Sequence, residues 1–129
     1  MNFHSNKAIY IQIADLICEK ILSKTFKEEE RIPSVRELAI DLEVNPNTVM
    51  RTYEYLQDLH IITNKRGVGF FVNTYSIEKV TAYLRKEFME QELPTLFKNM
   101  KILAVNINEL EKLYHQYLQN NIKNSNEKK

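Results

Sequence analysis

Pro33-Ser34-Val35-Arg36-Glu37-Leu38, then a turn at Glu43-Val44, then Asn45-Pro46-Asn47-Thr48-Val49, is the stretch on which the reading of this chain turns. Ser34 and Glu37 have the spacing of a capping box, in which the Ser34 hydroxyl takes the amide of Glu37 and the Glu37 carboxylate returns to the amide of Ser34. A short helix therefore begins at Ser34 and runs to about Leu42, with Val35, Leu38, Ala39 and Leu42 on its inner face. Asn45 is the N-cap of the next helix, and Pro46 sits at its first position, where a missing N–H costs nothing. Val49, Tyr53 and Leu56 carry that helix to about Leu59. Ile61-Ile62-Thr63 and Phe70-Phe71-Val72 then read as short strands around the tip Lys65-Arg66-Gly67-Val68-Gly69, whose glycines allow the positive dihedrals of a tight turn. Two helices across a turn, followed by a hairpin, make a winged helix, an architecture that sets one helix in a DNA major groove.

Upstream, residues 7–24 predict a helix, with Ile9, Ile13, Leu16, Ile17 and Ile21 at helical spacing. Residues 26–33 read as a charged connector in which Glu28, Glu29 and Glu30 form a solvated loop. Beyond Asn73 the pattern is helical only. A stripe of Ile77, Val80, Leu84 and Phe88 starts after Ser76, Pro94 breaks or kinks it, and Leu96, Phe97, Met100 and Leu103 continue it. Asn106 or Asn108 caps a last helix carrying Leu110, Leu113, Tyr114, Tyr117 and Leu118. The expected fold is mainly α with a small β-hairpin: an N-terminal winged helix-turn-helix over residues 1–75, a helical dimerisation and regulatory tail over 76–119, and a disordered polar end over 120–129.

With 129 residues the chain holds one small domain and an appendage. No apolar run approaches the roughly 20 residues of a membrane span, and the first seven residues lack a hydrophobic signal core. The single cysteine, Cys18, excludes an intrachain disulfide and suits a reducing cytoplasm. Residues 1–72 carry nine Lys/Arg against ten Asp/Glu, a net −1, and residues 73–129 nine against seven, a net +2. Bulk charge thus gives no support for a nucleic-acid partner; placement does, because Arg36, Arg51, Lys65 and Arg66 fall in the elements that would face DNA. His4, His60 and His115 show no metal-ligand spacing with one another or with Cys18, so no metal or other cofactor is expected. The absence of a phosphate-binding glycine loop, a nucleophile elbow or a catalytic carboxylate pair argues against an enzyme.

The ordered runs Ile9-Tyr10-Ile11-Gln12-Ile13, Arg31-Ile32-Pro33-Ser34-Val35-Arg36-Glu37-Leu38-Ala39, Val44-Asn45-Pro46-Asn47-Thr48-Val49 and Arg66-Gly67-Val68-Gly69-Phe70-Phe71-Val72 resemble the GntR family of bacterial transcription regulators over about residues 8–72. The short tail resembles that of the YtrA-type subgroup. The resemblance implies a reader of double-stranded operator DNA, a repressor, a tail that serves dimerisation, and targets that include transporter operons. It implies DNA contacts for Arg36, for Asn45, Asn47 and Thr48 at the start of the third helix, for Arg51, and for Arg66 and Gly67 at the hairpin tip. Three positions depart from the commonest family pattern: Pro46 and Met50 stand where an arginine is frequent, and Glu43 stands where a turn glycine is usual, which predicts a strained or differently shaped turn.

The chemistry of these side chains suits the task. Asn47 can bond adenine N6 and N7 together, Thr48 a base edge or phosphate, and Arg36 a guanine edge or phosphate. Ser34 joins the set at the helix start, and Lys65 and Arg66 suit phosphate or the minor groove. Arg51 reads either as a DNA contact or as a partner of Glu54 or Asp58 on a solvated face. A bidentate pair gives roughly 1–3 kcal/mol of discrimination, so one unit is a weak reader and two on a pseudo-palindrome a useful one. The tail stripes exceed what two short helices can bury, which predicts a homodimer through Ile77, Val80, Leu84, Phe88, Leu96, Phe97, Met100, Leu110, Leu113 and Tyr117. Residues 73–76 read as a hinge, and a small-molecule effector of unknown identity would bind between tail and reader. The rival reading is a winged-helix adaptor that binds protein instead of DNA.

Overall fold

The structure is a computed structural model describing residues 6–127, with side chains through residue 124. The expectation for the first residues, and with it His4, lies outside that range. The elements run α1 (Ile9–Leu22), α2 (Val35–Leu42), α3 (Pro46–Asp58), β1 (Ile62–Lys65), β2 (Gly69–Val72), α4 (Ser76–Glu87), a π-helical turn (Phe88–Glu92), α5 (Leu93–Leu103) and α6 (Ile107–Glu127). The chain divides into two compact units, Met1–Lys86 and Glu87–Lys129.

In the first unit the inner faces of three helices meet. Ile13, Ala14, Ile17, Cys18 and Ile21 of α1 are buried, as are Leu38 and Ala39 of α2 and Val49, Thr52, Tyr53 and Leu56 of α3. The α1 stripe is turned slightly from the expected one: Ile9 is exposed and Cys18 is enclosed. The capping box at Ser34 is present in both directions, at 3.1 Å from the Glu37 amide to Ser34 Oγ and 3.0 Å from the Ser34 amide to Glu37 Oε1. Asn45 caps α3 by accepting the Asn47 amide at 2.8 Å. Glu43 ends α2 in the left-handed region, at φ 55° and ψ 46°, so the strained turn is real and a residue with a Cβ occupies it.

The hairpin pairs Ile62 with Val72 through Lys65 with Gly69, antiparallel. Its free edge on β2 is covered: Arg31 bridges Phe71, the Ile32 amide donates to the Phe70 carbonyl at 2.9 Å, and Val72 and residues 29–30 exchange two further backbone bonds. The connector therefore supplies a short third strand. Its acidic run is an exposed loop at Glu29 and Glu30, as expected, and two of its carboxylates also tie down the segment after the hairpin. Glu29 accepts the Thr74 hydroxyl at 2.9 Å, and Glu28 accepts the Ile77 amide at 3.3 Å at the start of α4.

The same contacts fix the segment read as a hinge. The Asn73 amide donates to Ile61, its side chain donates to the His60 carbonyl and accepts from the Thr63 hydroxyl, and Ser76 is fully buried. Helix α4 accordingly packs on the first unit. Val80 is enclosed in its core, with Ile77, Tyr83 and Leu84 against it. The compact first unit thus extends beyond residue 75 to Lys86.

The second unit holds the π-helical turn, α5 and α6. Pro94 lies in the first turn of α5. It cannot donate to the preceding turn and its ring crowds a carbonyl there, and the wider π turn just ahead of it accommodates both effects. Met100 is buried, whereas Phe88, Leu96, Phe97, Ile107, Leu113, Tyr114, Tyr117, Leu118 and Ile122 are exposed. Helix α6 continues to Glu127, so residues 120–127, expected to be disordered, are helical. None of the described helices is long and apolar enough to cross a membrane.

Candidate nucleic-acid interface

Helix α3 is held from both sides. Towards α2 and the hairpin, Tyr53 donates its hydroxyl to the Pro33 carbonyl at 2.6 Å and meets the Phe70 ring edge-on at 4.7 Å. Burial raises the Tyr53 phenol above its usual range, so it remains a donor. Towards α1, the buried Thr52 hydroxyl bonds the Tyr10 carbonyl at 2.8 Å, and Tyr55 meets Tyr10 edge-on at 5.9 Å. A helix anchored along both flanks presents its remaining face to solvent in one orientation.

That face carries Asn47 and Arg51, both exposed, with Thr48 half-buried beside them. The Arg51 guanidinium stacks 4.0 Å over the Tyr10 ring. The side chain is laid on an aromatic face of α1 and not paired with Glu54 or Asp58. Such stacking leaves the N–H fork available to an acceptor while narrowing its positions. Arg36 is exposed on the first turn of α2. Ser34 and Asn45 spend a side-chain oxygen on their caps. Hydrogen bonding from the Ser34 amide and then its hydroxyl holds the Glu37 carboxyl below its usual range, so Glu37 stays ionised as the cap requires.

At the hairpin, the Lys65 ammonium lies 4.1 Å over the Phe71 ring, and Arg66 is exposed at the tip. Gly67 has φ 77°, and a Cβ there would meet nothing within 4 Å. Gly69 has φ 142°, and a Cβ there would come 2.7 Å from Arg31 Nε. The two glycines thus do different things: one forms the turn, the other also lets Arg31 cross the hairpin. Arg31, Tyr10 and Tyr53 all support this surface and were not singled out from sequence. The apolar-polar pattern marks what is buried, but not which aromatic underlies which cation.

Comparison with known proteins fits this geometry. The family model for bacterial regulatory proteins of the gntR family matches residues 9–72. Over 108 residues the chain is 36% identical to the HTH-type transcriptional regulator YhcF of Bacillus subtilis, covering 84% of this chain and 88% of that one. The chain belongs to the GntR family. A second relative, the HTH-type transcriptional repressor YtrA of Bacillus subtilis, is 34% identical over 114 residues, covering 85% of this chain and 82% of YtrA. A solved GntR-family regulator from Bacteroides thetaiotaomicron superposes with a TM-score of 0.74 at 45% identity, over 88% of this chain and 99% of that one. As a GntR protein the chain is a DNA-binding winged-helix transcription regulator and not an enzyme.

Proposed function

We propose that the chain is a homodimeric repressor of the bacterial cytoplasm. Each protomer lays α3 in the major groove of one half of a pseudo-palindromic operator and sets the Lys65–Gly67 tip on the adjacent backbone or minor groove. The observation that carries the reading is the rigidly mounted outer face of α3, with exposed Asn47 and Arg51, next to exposed Arg36 and the exposed basic tip. Ser34, Asn45 and Thr48 belong to the same surface, with backbone and phosphate contacts as their share. Repression is supported by the similarity to YtrA, which is itself a repressor.

Dimerisation is supported by the second unit. Phe97 is 51% exposed, Leu113 52% and Tyr117 60%, and a stripe this apolar calls for a covering surface. A second copy supplies it symmetrically and doubles the DNA contacts. Phe88, Leu96 and Leu110 complete the expected interface, and Met100 leaves it because it is already buried in the protomer. Ile77, Val80 and Leu84 leave it, because they pack on the core of the first unit.

Fluorescence anisotropy of the full chain on DNA from upstream of its own operon, against scrambled competitor and across a salt series, tests the reading. The expected result is competitor-resistant binding of two chains per site that weakens steeply with salt. Binding indifferent to sequence and salt would favour the adaptor instead.

A further inference from the structure

Around the axis of α3, Val49, Thr52, Tyr53 and Leu56 point inward, and Asn47 is nearly opposite them. Two side chains flank Asn47. Arg51 leans towards α1 and rests on Tyr10. Met50 falls on the other flank, one turn before Tyr53, whose bonds run to Pro33 ahead of α2 and to Phe70 of the hairpin. Met50 is 40% exposed, and beside it one turn earlier stands exposed Pro46. The flank facing α2 and the hairpin therefore carries an unbranched thioether where the rest of the outer face is polar or charged.

An apolar side chain at a base edge has one favourable partner in the major groove, the 5-methyl group of thymine. We propose that Met50 is a specificity residue that covers a thymine methyl, next to the base read by Asn47. This rests on α3 being the major-groove helix. Side chains three apart on a helix stand about 5–6 Å apart, against 3.4 Å per base step, so the thymine lies one or two steps from the base that Asn47 contacts. Besides Arg51, whose fork stays available to an acceptor, the outward readers of the first two turns are an amide and a thioether, and both favour A·T pairs.

The test uses the full chain and a duplex that it selects from a random-sequence pool. Each thymine of the half-site is replaced in turn by deoxyuridine, which removes the methyl alone. The wild type should lose about fourfold in affinity per half-site at one thymine, the effect of one buried methyl. Met50→Ala should bind the selected duplex more weakly and be indifferent to deoxyuridine at that position, while Met50→Leu retains the sensitivity. Wild-type indifference at every thymine, or an undiminished methyl effect in Met50→Ala, would overturn the proposal. Asn47→Ala separates the two levels. If it weakens binding while no methyl matters, only the role of Met50 fails. If it leaves affinity and selectivity unchanged, the placement of α3 fails and the role of Met50 with it.

Discussion

Tyr55 donates its hydroxyl hydrogen to the Tyr83 hydroxyl across 2.9 Å, and Tyr83 in turn donates to Asp15 Oδ1 at 3.3 Å. Asp15 also holds Lys7 at 2.8 Å. This relay fastens α4 to both α3 and α1. Burial first, and the bond with Tyr55 second, push the Tyr83 phenol above its usual range, so it stays a donor. Tyr83→Phe should cost about 1 kcal/mol in urea unfolding. Combined with Tyr55→Phe it should show a coupling that the two single changes do not sum to. Additive effects would mean that apolar contacts alone hold α4.

Val80 and Tyr117 separate two kinds of stability. Val80→Ala opens a cavity in the core of the first unit and should cost about 2 kcal/mol, equally at low and high protein concentration. Tyr117→Asp, on the exposed face of α6, should leave that unit intact and shift sedimentation from dimer to monomer. A concentration-dependent loss for Val80→Ala would return that residue to the interface.

Glu43 sits at φ 55°, where a Cβ crowds the backbone. Glu43→Gly should stabilise the chain by about 0.5–1 kcal/mol, the strain relieved being partly offset by a freer unfolded chain. A rise in thermal midpoint checks this.

Cys18 is fully buried, and burial, reinforced by the charges of Asp15 and Glu19, pushes its thiol up to about 12. The unfolded thiol ionises from about 9. A group with a raised folded value gives its full contribution below the unfolded value, and that contribution is lost as pH rises towards the folded one. Stability should therefore fall between pH 9 and 12 by about 1 kcal/mol per pH unit more in the wild type than in Cys18→Ala. Parallel denaturant midpoints across that range measure the difference.

Arg66→Ala should weaken binding evenly across DNA sequences and reduce the salt slope by about one, the mark of a lost phosphate contact. Arg36→Ala should relax discrimination as well if Arg36 meets a base. If neither changes operator affinity, the DNA face lies elsewhere.

What was readable from sequence was local. The Ser34–Glu37 box and the Asn45-Pro46 start are each written within four residues, and both helices begin there. The ties of Glu29 to Thr74 and Glu28 to Ile77 span more than forty residues, so no local pattern announces them, although the run itself faces solvent as its charge implies. The third strand at Arg31 is a single bridge with no period to detect. The stripe of Val80 was right about burial and wrong about what buries it: a helical pattern reports an inward face without naming the neighbour. The end of α6 carries only Ile122 among Asn, Lys and Ser, too little to make an apolar stripe. On the DNA face, the polar residues were legible by type, whereas the aromatic platforms under Arg51 and Lys65 depend on how helices and strands meet.

The seclusion of Cys18 has a practical consequence. Its sulfur is sealed in the core and resists ionisation up to about pH 12, so thiol reagents at neutral pH should pass it by. A cysteine introduced at Val68, 57% exposed beside the hairpin tip, becomes the one addressable thiol of the native chain. A fluorophore or photo-crosslinker can then be attached there in the otherwise wild-type protein, and the wing can report directly on the DNA it approaches.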